Sequence, residues 1–167
     1  MPPQQRLSTD WYRGTADAIY QNIYTLEQER PDLTMVLSGD HVYRMDYRRM
    51  IRFHREKDAD LTLACLRRPL DEARRLGVVT AGADDRIRSF VEKPDRPLAA
   101  EEGGEVAHCS MGVYVFRTEL LVQRVIEDSK KDSQHDFGQD VVPEMVNKDR
   151  AFCYQYNREG AGEPYWR

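Results

Sequence analysis

The chain has 167 residues, which is enough for one globular domain with a sizeable hydrophobic core. Its net charge of -4 argues against a binder of nucleic acid or of anionic membranes, since both partners require a broad basic face. No apolar run approaches the length of a membrane-spanning helix, and the N-terminus lacks the apolar core of a secretory signal, so we expect a cytoplasmic protein.

The first helix is predicted after ten residues without periodicity. Ala16, Ile19, Ile23 and Leu26 recur at helical spacing, and Pro31 follows the expected end. We therefore predict a single helix before residue 31.

A buried strand is predicted next, over residues 33–37, and it stops abruptly at Ser38, Gly39 and Asp40. Asp46 then has the position and chemistry of a helix cap. The helix behind it has one apolar face and one face rich in arginine, which we interpret mainly as solvated surface.

Later in the chain, strands are predicted over residues 61–66, 77–81, 87–93, 110–116 and 151–156, with helices near 119–127 and 137–147. Three cysteines in these strand-like runs, Cys65, Cys109 and Cys153, are best interpreted as reduced, buried thiols. Strands that alternate with helices indicate an α/β fold with a mixed, mostly parallel, doubly wound sheet.

Asp40 is the first candidate for chemistry. In an open α/β sheet, ligands bind outside the carboxyl ends of the strands, and Asp40 directly follows such an end. A carboxylate there suits Mg²⁺, which takes oxygen ligands and is usually shared with substrate phosphates.

Three further segments carry candidate polar groups. Glu92 and Lys93 precede Pro94 at the rim of a strand, where they could bind a phosphate or form an ordinary solvated pair. Ser110 and Tyr114 alternate with an apolar face, which suits either a ligand-lined or a half-exposed sheet. Asp136 is a good helix cap, and capping alone would explain it.

Six segments, taken in order, resemble the bacterial glucose-1-phosphate adenylyltransferase family, also called ADP-glucose pyrophosphorylases. They are WYRGTADA at 11–18, LSGDHVYRMDY at 37–47, FVEKP at 90–94, SMGVYVF at 110–116, HDFG at 135–138 and EPYWR at 163–167. FVEKP and the Gly-Asp strand end are common to sugar nucleotidyltransferases, whereas WYRGTADA and HDFG together narrow the resemblance to the ADP-glucose branch.

The resemblance implies a Rossmann-like, glycosyltransferase-A-like domain that transfers the adenylyl group of ATP to glucose 1-phosphate. The products would be ADP-glucose, for glycogen biosynthesis, and pyrophosphate, with Mg²⁺ as cofactor. Asp40 would be the catalytic, metal-binding aspartate, and Lys93 would hold the sugar phosphate. The other residues implied to contact glucose 1-phosphate are Tyr12, Gly77, Glu92, Ser110, Tyr114, Asp136, Phe137 and Trp166. The residues implied to lie close to the nucleotide are Gly14, Thr15 and Ala16.

Residues 1–167 lack three parts that the family carries: a Gly-rich phosphate loop, a second metal-binding aspartate and a C-terminal β-helix domain. We therefore expect a partial catalytic domain, cut at both ends and inactive alone, from a family whose full-length members are expected to be homotetramers. Two alternatives stay open: a non-catalytic sugar-phosphate-binding module, and a uridylyl- or thymidylyltransferase of the same fold.

Overall fold

The computed structural model describes residues 11–40 and 43–156. Six strands form one open sheet: β1 (Leu33–Leu37), β2 (Leu61–Pro69), β3 (Gly77–Ala81), β4 (Ile87–Glu92), β5 (Val106–Arg117) and β6 (Ala151–Gln155). The helices are α1 (Thr15–Tyr20), α2 (Ile23–Glu29), α3 (Tyr47–Glu56), α4 (Leu70–Ala73), α5 (Thr118–Ser129) and α6 (Val142–Lys148), with a short π-helical segment, Phe137–Val141, before α6.

The long strand β5 organises the sheet. The spatial order is β4-β3-β5-β2-β6, and β1 also pairs with β5. The pairs of β5 with β1, β2 and β3 are all antiparallel, as is the β3–β4 pair, whereas β2 and β6 are parallel. The predicted α/β class and the mixed sheet are therefore confirmed.

The expected predominance of parallel pairing is wrong for the described strands, because β2–β6 is their one parallel pair. β1 and β2 do run in the same direction, as a strand–helix–strand unit requires, but β5 lies between them. Alternation of strands and helices predicts strand direction. It does not predict which later strand inserts between two earlier ones.

The two faces of β5 enter two different cores. Tyr114 and Phe116 pack with α5, α6 and α1 on one face, while Val113 and Val115 pack with Met50 of α3 on the other. Such alternation is the ordinary consequence of strand geometry. The three cysteines are free and buried, as predicted.

The first predicted helix is two helices, α1 and α2, so that prediction needs a correction. At Asn22 the backbone N–H bonds to the carbonyl of Ile19 rather than to that of Ala18. The Asn22 side chain donates to the Ala18 carbonyl instead, at 2.8 Å. A local side-chain bond thus replaces the helical one and interrupts the helix.

Two other predictions can be compared directly with the structure. Strand β1 is half-buried rather than buried, because no strand among the described residues pairs with its edge opposite β5. The Asp46 cap is confirmed, since its carboxylate accepts a hydrogen bond from the Arg48 amide at 3.1 Å.

Among residues 11–40 and 43–156, no helix has the length and apolarity needed to cross a membrane.

Candidate active site

A cavity of about 390 Å³ opens where α1, the ends of β1 and β4, β5 and the π-helical segment converge. Five of the residues singled out from the sequence line it, and we call this group the inner wall: Thr15, Glu92, Tyr114, Asp136 and Phe137. Ser38 and Gly112 line it as well. The structure therefore brings together side chains that are up to 122 positions apart in the chain.

The inner wall is held by the Thr15 hydroxyl, which links two distant segments. Thr15 Oγ1 donates to Asp136 Oδ2 at 2.9 Å and accepts from the Phe137 amide at 2.9 Å. Asp136 also caps the π-helical segment, since its Oδ1 accepts from the amides of Gly138 and Gln139 at 2.9 and 3.0 Å. The predicted capping role of Asp136 is confirmed, and the same carboxylate lines the cavity.

Glu92 reaches the cavity between two glycines. A Cβ atom at Gly77 would lie 2.8 Å from Glu92 Oε2, and one at Gly138 would lie 2.7 Å from it. Partial burial raises the pKa of Glu92, with Lys93 opposing and Asp136 adding to the rise. Gly77 does not line the cavity. It leaves space for the Phe90 ring, whose Cζ would lie 2.5 Å from the added Cβ atom, and for the Glu92 carboxylate.

Lys93 directly follows the last residue of β4, as its position before Pro94 predicts. Its Nζ is 3.8 Å from Glu92 Oε1, and its side chain is 64% exposed. The residue adopts a left-handed backbone conformation with φ of 47°, which ends the strand. An exposed ammonium beside the cavity is available to a charged ligand.

The aromatic part of the inner wall is a cluster of three rings. Tyr114 and Phe137 are stacked with centroids 6.0 Å apart, and Phe116 packs against both. Burial raises the pKa of Tyr114 to about 12, against a hydrogen bond with Ser110 that lowers it. Tyr114 is therefore a neutral hydroxyl at physiological pH, and Ser110 lies behind it, buried and outside the cavity lining.

Asp40 lies outside the inner wall, at an exposed position after β1. Ser38 Oγ donates a hydrogen bond to Asp40 Oδ1. We call residues 38–40 the Asp40 tip. Ser38 lines the cavity but Asp40 does not, so the carboxylate is placed next to the opening rather than in its wall.

The remaining predicted residues have separate surroundings. Tyr12 accepts a hydrogen bond from the Asn22 side chain, away from the cavity lining. Gly14 and Ala16 pack at the start of α1, where the Ala16 amide donates to the carbonyl of His135. Trp166 lies outside the described residues.

Some lining residues were not singled out by sequence reasoning: Ala18, Ile19, Val36, Leu37 and Gly138. The sequence contains a pattern that predicts two of them. Ala18 and Ile19 are three and four positions after Thr15, so a helix that begins at Thr15 places all three residues on the same side.

A larger cavity of about 460 Å³ lies at the opposite end of β1, beside Leu33. It is lined by His54, which is 2% exposed, and burial lowers the pKa of His54 to about 4. None of the residues singled out for chemistry lines this cavity. The smaller cavity is therefore the candidate active site.

The family model described as Nucleotidyl transferase matches residues 2–167. Across the whole chain, the sequence is 44% identical to the glucose-1-phosphate adenylyltransferase of Methylococcus capsulatus and 42% identical to that of Rhodopirellula baltica. It is also 44% identical to that of Shewanella putrefaciens. The chain covers 40%, 38% and 40% of these three proteins, respectively, so it spans about two fifths of their length.

Proposed function

Because the chain belongs to the nucleotidyl transferase family, we propose that its cavity holds glucose 1-phosphate and that the protein serves adenylyl transfer from ATP to this sugar phosphate. The observation that carries the proposal is the junction of Thr15, Asp136 and Glu92 at one cavity. The products are ADP-glucose, a precursor for glycogen synthesis, and pyrophosphate. The relatives are named glucose-1-phosphate adenylyltransferases, which supports this choice of nucleotide and sugar phosphate.

The inner wall has the chemistry of a sugar site. Glu92 and Asp136 offer carboxylate oxygens that accept hydrogen bonds from sugar hydroxyls, while the rings of Tyr114 and Phe137 cover the apolar face of a pyranose. A sugar bound here can extend its phosphate towards the rim. There the exposed ammonium of Lys93 supplies a compact positive charge for the phosphate.

The proposed roles of the other residues follow from their places around this wall. Ser110 supports the Tyr114 hydroxyl, and Gly77 leaves space for Glu92. Gly14, Thr15 and Ala16 are proposed to lie close to the nucleotide on the basis of the resemblance alone. Tyr12 and Trp166 are proposed as further sugar-phosphate contacts on the basis of the resemblance alone.

Asp40 is proposed to bind Mg²⁺. Among the described residues, no three His, Cys, Asp or Glu side chains form a metal-binding group. One exposed carboxylate beside the cavity fits Mg²⁺, which is usually held by one or two carboxylates together with substrate phosphates. When bound, the ion would neutralise phosphate charge; Asp40 holds the ion at the mouth of the cavity.

The transfer needs positioning more than proton transfer. A phosphate oxygen of glucose 1-phosphate forms a bond to the α-phosphorus of ATP, and the bond from that phosphorus to the pyrophosphate oxygen breaks. The attacking oxygen is already ionised, so no general base is required. The contribution of Lys93 and the inner wall is to hold two polyanions in line against their mutual repulsion.

Calorimetric titration with glucose 1-phosphate tests the sugar-phosphate site. We expect Lys93→Ala to weaken binding by at least about tenfold, since a charge-assisted hydrogen bond is lost. Lys130→Ala removes the same charge from an exposed position at the end of α5, outside the cavity lining, and should leave binding unchanged. Equal affinity of the wild type and Lys93→Ala would reject the role of Lys93.

Product analysis tests the reaction class. Incubation of a full-length protein that carries this chain with glucose 1-phosphate, Mg²⁺ and an equimolar mixture of ATP, UTP and dTTP should give ADP-glucose as the nucleotide sugar. Formation of UDP-glucose or dTDP-glucose instead would identify a uridylyl- or thymidylyltransferase. Tight binding of glucose 1-phosphate by that full-length protein with no nucleotide sugar at all would favour the binding module.

A further inference from the structure

Next to the Asp136 segment lies a cluster of three polar side chains, the buried Asp128 and His135 and the partly buried Ser133. His135 Nδ1 is 2.9 Å from Asp128 Oδ2, and Ser133 Oγ donates to Asp128 Oδ1 at 2.9 Å. Ser133 Oγ is also 3.1 Å from His135 Nδ1. Asp128 and His135 are each 3% exposed, and neither lines the cavity of the candidate active site. Any effect of this cluster on the candidate active site therefore passes through the backbone.

The backbone of His135 has an unusual conformation and two important contacts. Its φ is 52°, in the left-handed region that side chains other than glycine adopt rarely and at a cost. Its carbonyl accepts from the amides of Ala16 and Asp17, at 2.8 and 3.4 Å. A single left-handed residue thus carries the acceptor for the first turn of α1.

The residue before α1, Gly14, packs closely against the backbone of residues 134 and 135. A Cβ atom at Gly14 would lie 2.3 Å from the carbonyl oxygen of His135 and 2.4 Å from that of Gln134. The residue after His135 is Asp136, whose carboxylate accepts from the Thr15 hydroxyl. The backbone of His135 therefore contacts the first turn of α1 through its carbonyl and precedes the residue, Asp136, whose carboxylate lines the cavity.

We infer that His135, anchored by Asp128 and Ser133, is a positioning residue that holds Thr15 and Asp136 in the geometry for sugar binding. This inference rests on the proposed function of the cavity. The buried carboxylate holds the imidazole, the imidazole holds the left-handed backbone, and the backbone joins two segments that are 121 positions apart. Neither Asp128 nor His135 touches the sugar.

A buried ion pair on the same helix as Asp128 provides the matched control. Arg124 of α5 makes a bidentate pair with Asp149 at 2.8 and 2.7 Å, and both residues are at most 8% exposed. This pair joins α5 to the loop before β6 and does not contact the Asp136 segment in any described hydrogen bond. Breaking it removes a buried polar contact of α5 without moving Asp136.

The first test compares glucose 1-phosphate affinity by calorimetric titration with thermal unfolding. We expect His135→Ala to weaken binding about tenfold, since the geometry of the polar groups is lost. His135→Asn should stay within about threefold of wild type, because asparagine tolerates the left-handed region and its side-chain amide can donate to Asp128. Asp149→Ala should lower the melting temperature at least as much as His135→Ala while leaving the affinity unchanged. Equal loss of affinity in Asp149→Ala and His135→Ala would overturn the inference.

A second test needs no ligand. Amide hydrogen exchange followed by NMR should be at least about tenfold faster at Ala16 and Phe137 in His135→Ala, and unchanged in the β2–β5 core. Uniform acceleration across the protein would mean a purely structural role and would overturn the inference. Ser133→Ala keeps the His135 side chain and its bond to Asp128 and removes only the hydrogen bonds of the Ser133 hydroxyl, which include one accepted from the His135 amide at 3.3 Å. If His135→Ala does not fold, Ser133→Ala should give a smaller change at the same two amides. A wild type that binds no glucose 1-phosphate would reject the proposed function, while hydrogen exchange would still decide the positioning role.

Discussion

The inner wall and the Asp40 tip border the same cavity, but they are built differently. The inner wall is tied together by hydrogen bonds and ring contacts between segments that are distant in the chain. The Asp40 tip follows a half-buried strand, and Asp40 is exposed with a hydrogen bond from Ser38, two residues away. Substitutions in the inner wall should therefore change stability and ligand binding together, whereas a substitution of Asp40 should change chemistry alone.

The largest expected effect is at the tip. In a full-length protein that carries this chain, Asp40→Asn removes the charge of the proposed metal ligand and should lower kcat for ADP-glucose formation by about 100-fold or more, because charge stabilisation in the transition state is lost. The melting temperature should stay the same within error, since Asp40 is exposed. Steady-state kinetics and differential scanning calorimetry measure the two quantities. An unchanged kcat would remove Asp40 from the proposed mechanism, and a large loss of stability would end the distinction between the two regions.

Two glycine-to-alanine substitutions, one next to the inner wall and one at the tip, should differ in how much they lower the free energy of unfolding. Gly14→Ala places a Cβ atom 2.3 Å from the backbone oxygen of His135, where nothing flexible can yield, and we expect a loss of about 2–3 kcal/mol in the free energy of unfolding. Gly39→Ala is the matched control at the tip, because no atom lies within 4 Å of the added Cβ. Its effect should be within about 0.5 kcal/mol.

Urea titration measures both glycine variants. Neither position has a left-handed backbone, so strain in φ does not enter the comparison. If the two variants lose the same stability, the inner wall is not the more tightly packed region.

The smallest expected effect concerns the protonation of Glu92. Burial raises the pKa of this carboxyl above 4.5, and Lys93 partly opposes the rise. A raised folded-state pKa means that the folded protein binds the proton more tightly than the unfolded chain does. The contribution of Glu92 to stability is therefore greatest below pH 4.5 and declines as the pH rises through the folded-state pKa.

NMR titration of the Glu92 side-chain carboxyl carbon checks this prediction, and Lys93→Ala should raise the pKa further. Glu92→Gln should remove this part of the pH dependence of unfolding. A pKa below 4.5 would mean that the Glu92 carboxylate is more solvated than its place between Gly77 and Gly138 implies.

Much of the site could be predicted from local sequence because its chemical groups stand at the ends of elements. Asp40 follows a strand, Glu92 and Lys93 end one, and Asp136 begins a helical segment. What could not be predicted is the role of residues that only leave space or transmit position. Gly138 and His135 make contacts with atoms that lie more than 40 and more than 115 positions away in the chain, respectively.

The sequence by itself determined the family, the α/β class, most helices and strands, and the residue types of the candidate site, because periodicity and motifs are local properties. Tertiary structure alone decided that β5 lies between β1 and β2, that the first helix is interrupted at Asn22, and that Thr15 bonds to Asp136. These outcomes depend on which distant surfaces bury each other. Which surfaces pair depends on the packing of the whole chain. It therefore leaves no periodic pattern in the sequence of any one segment.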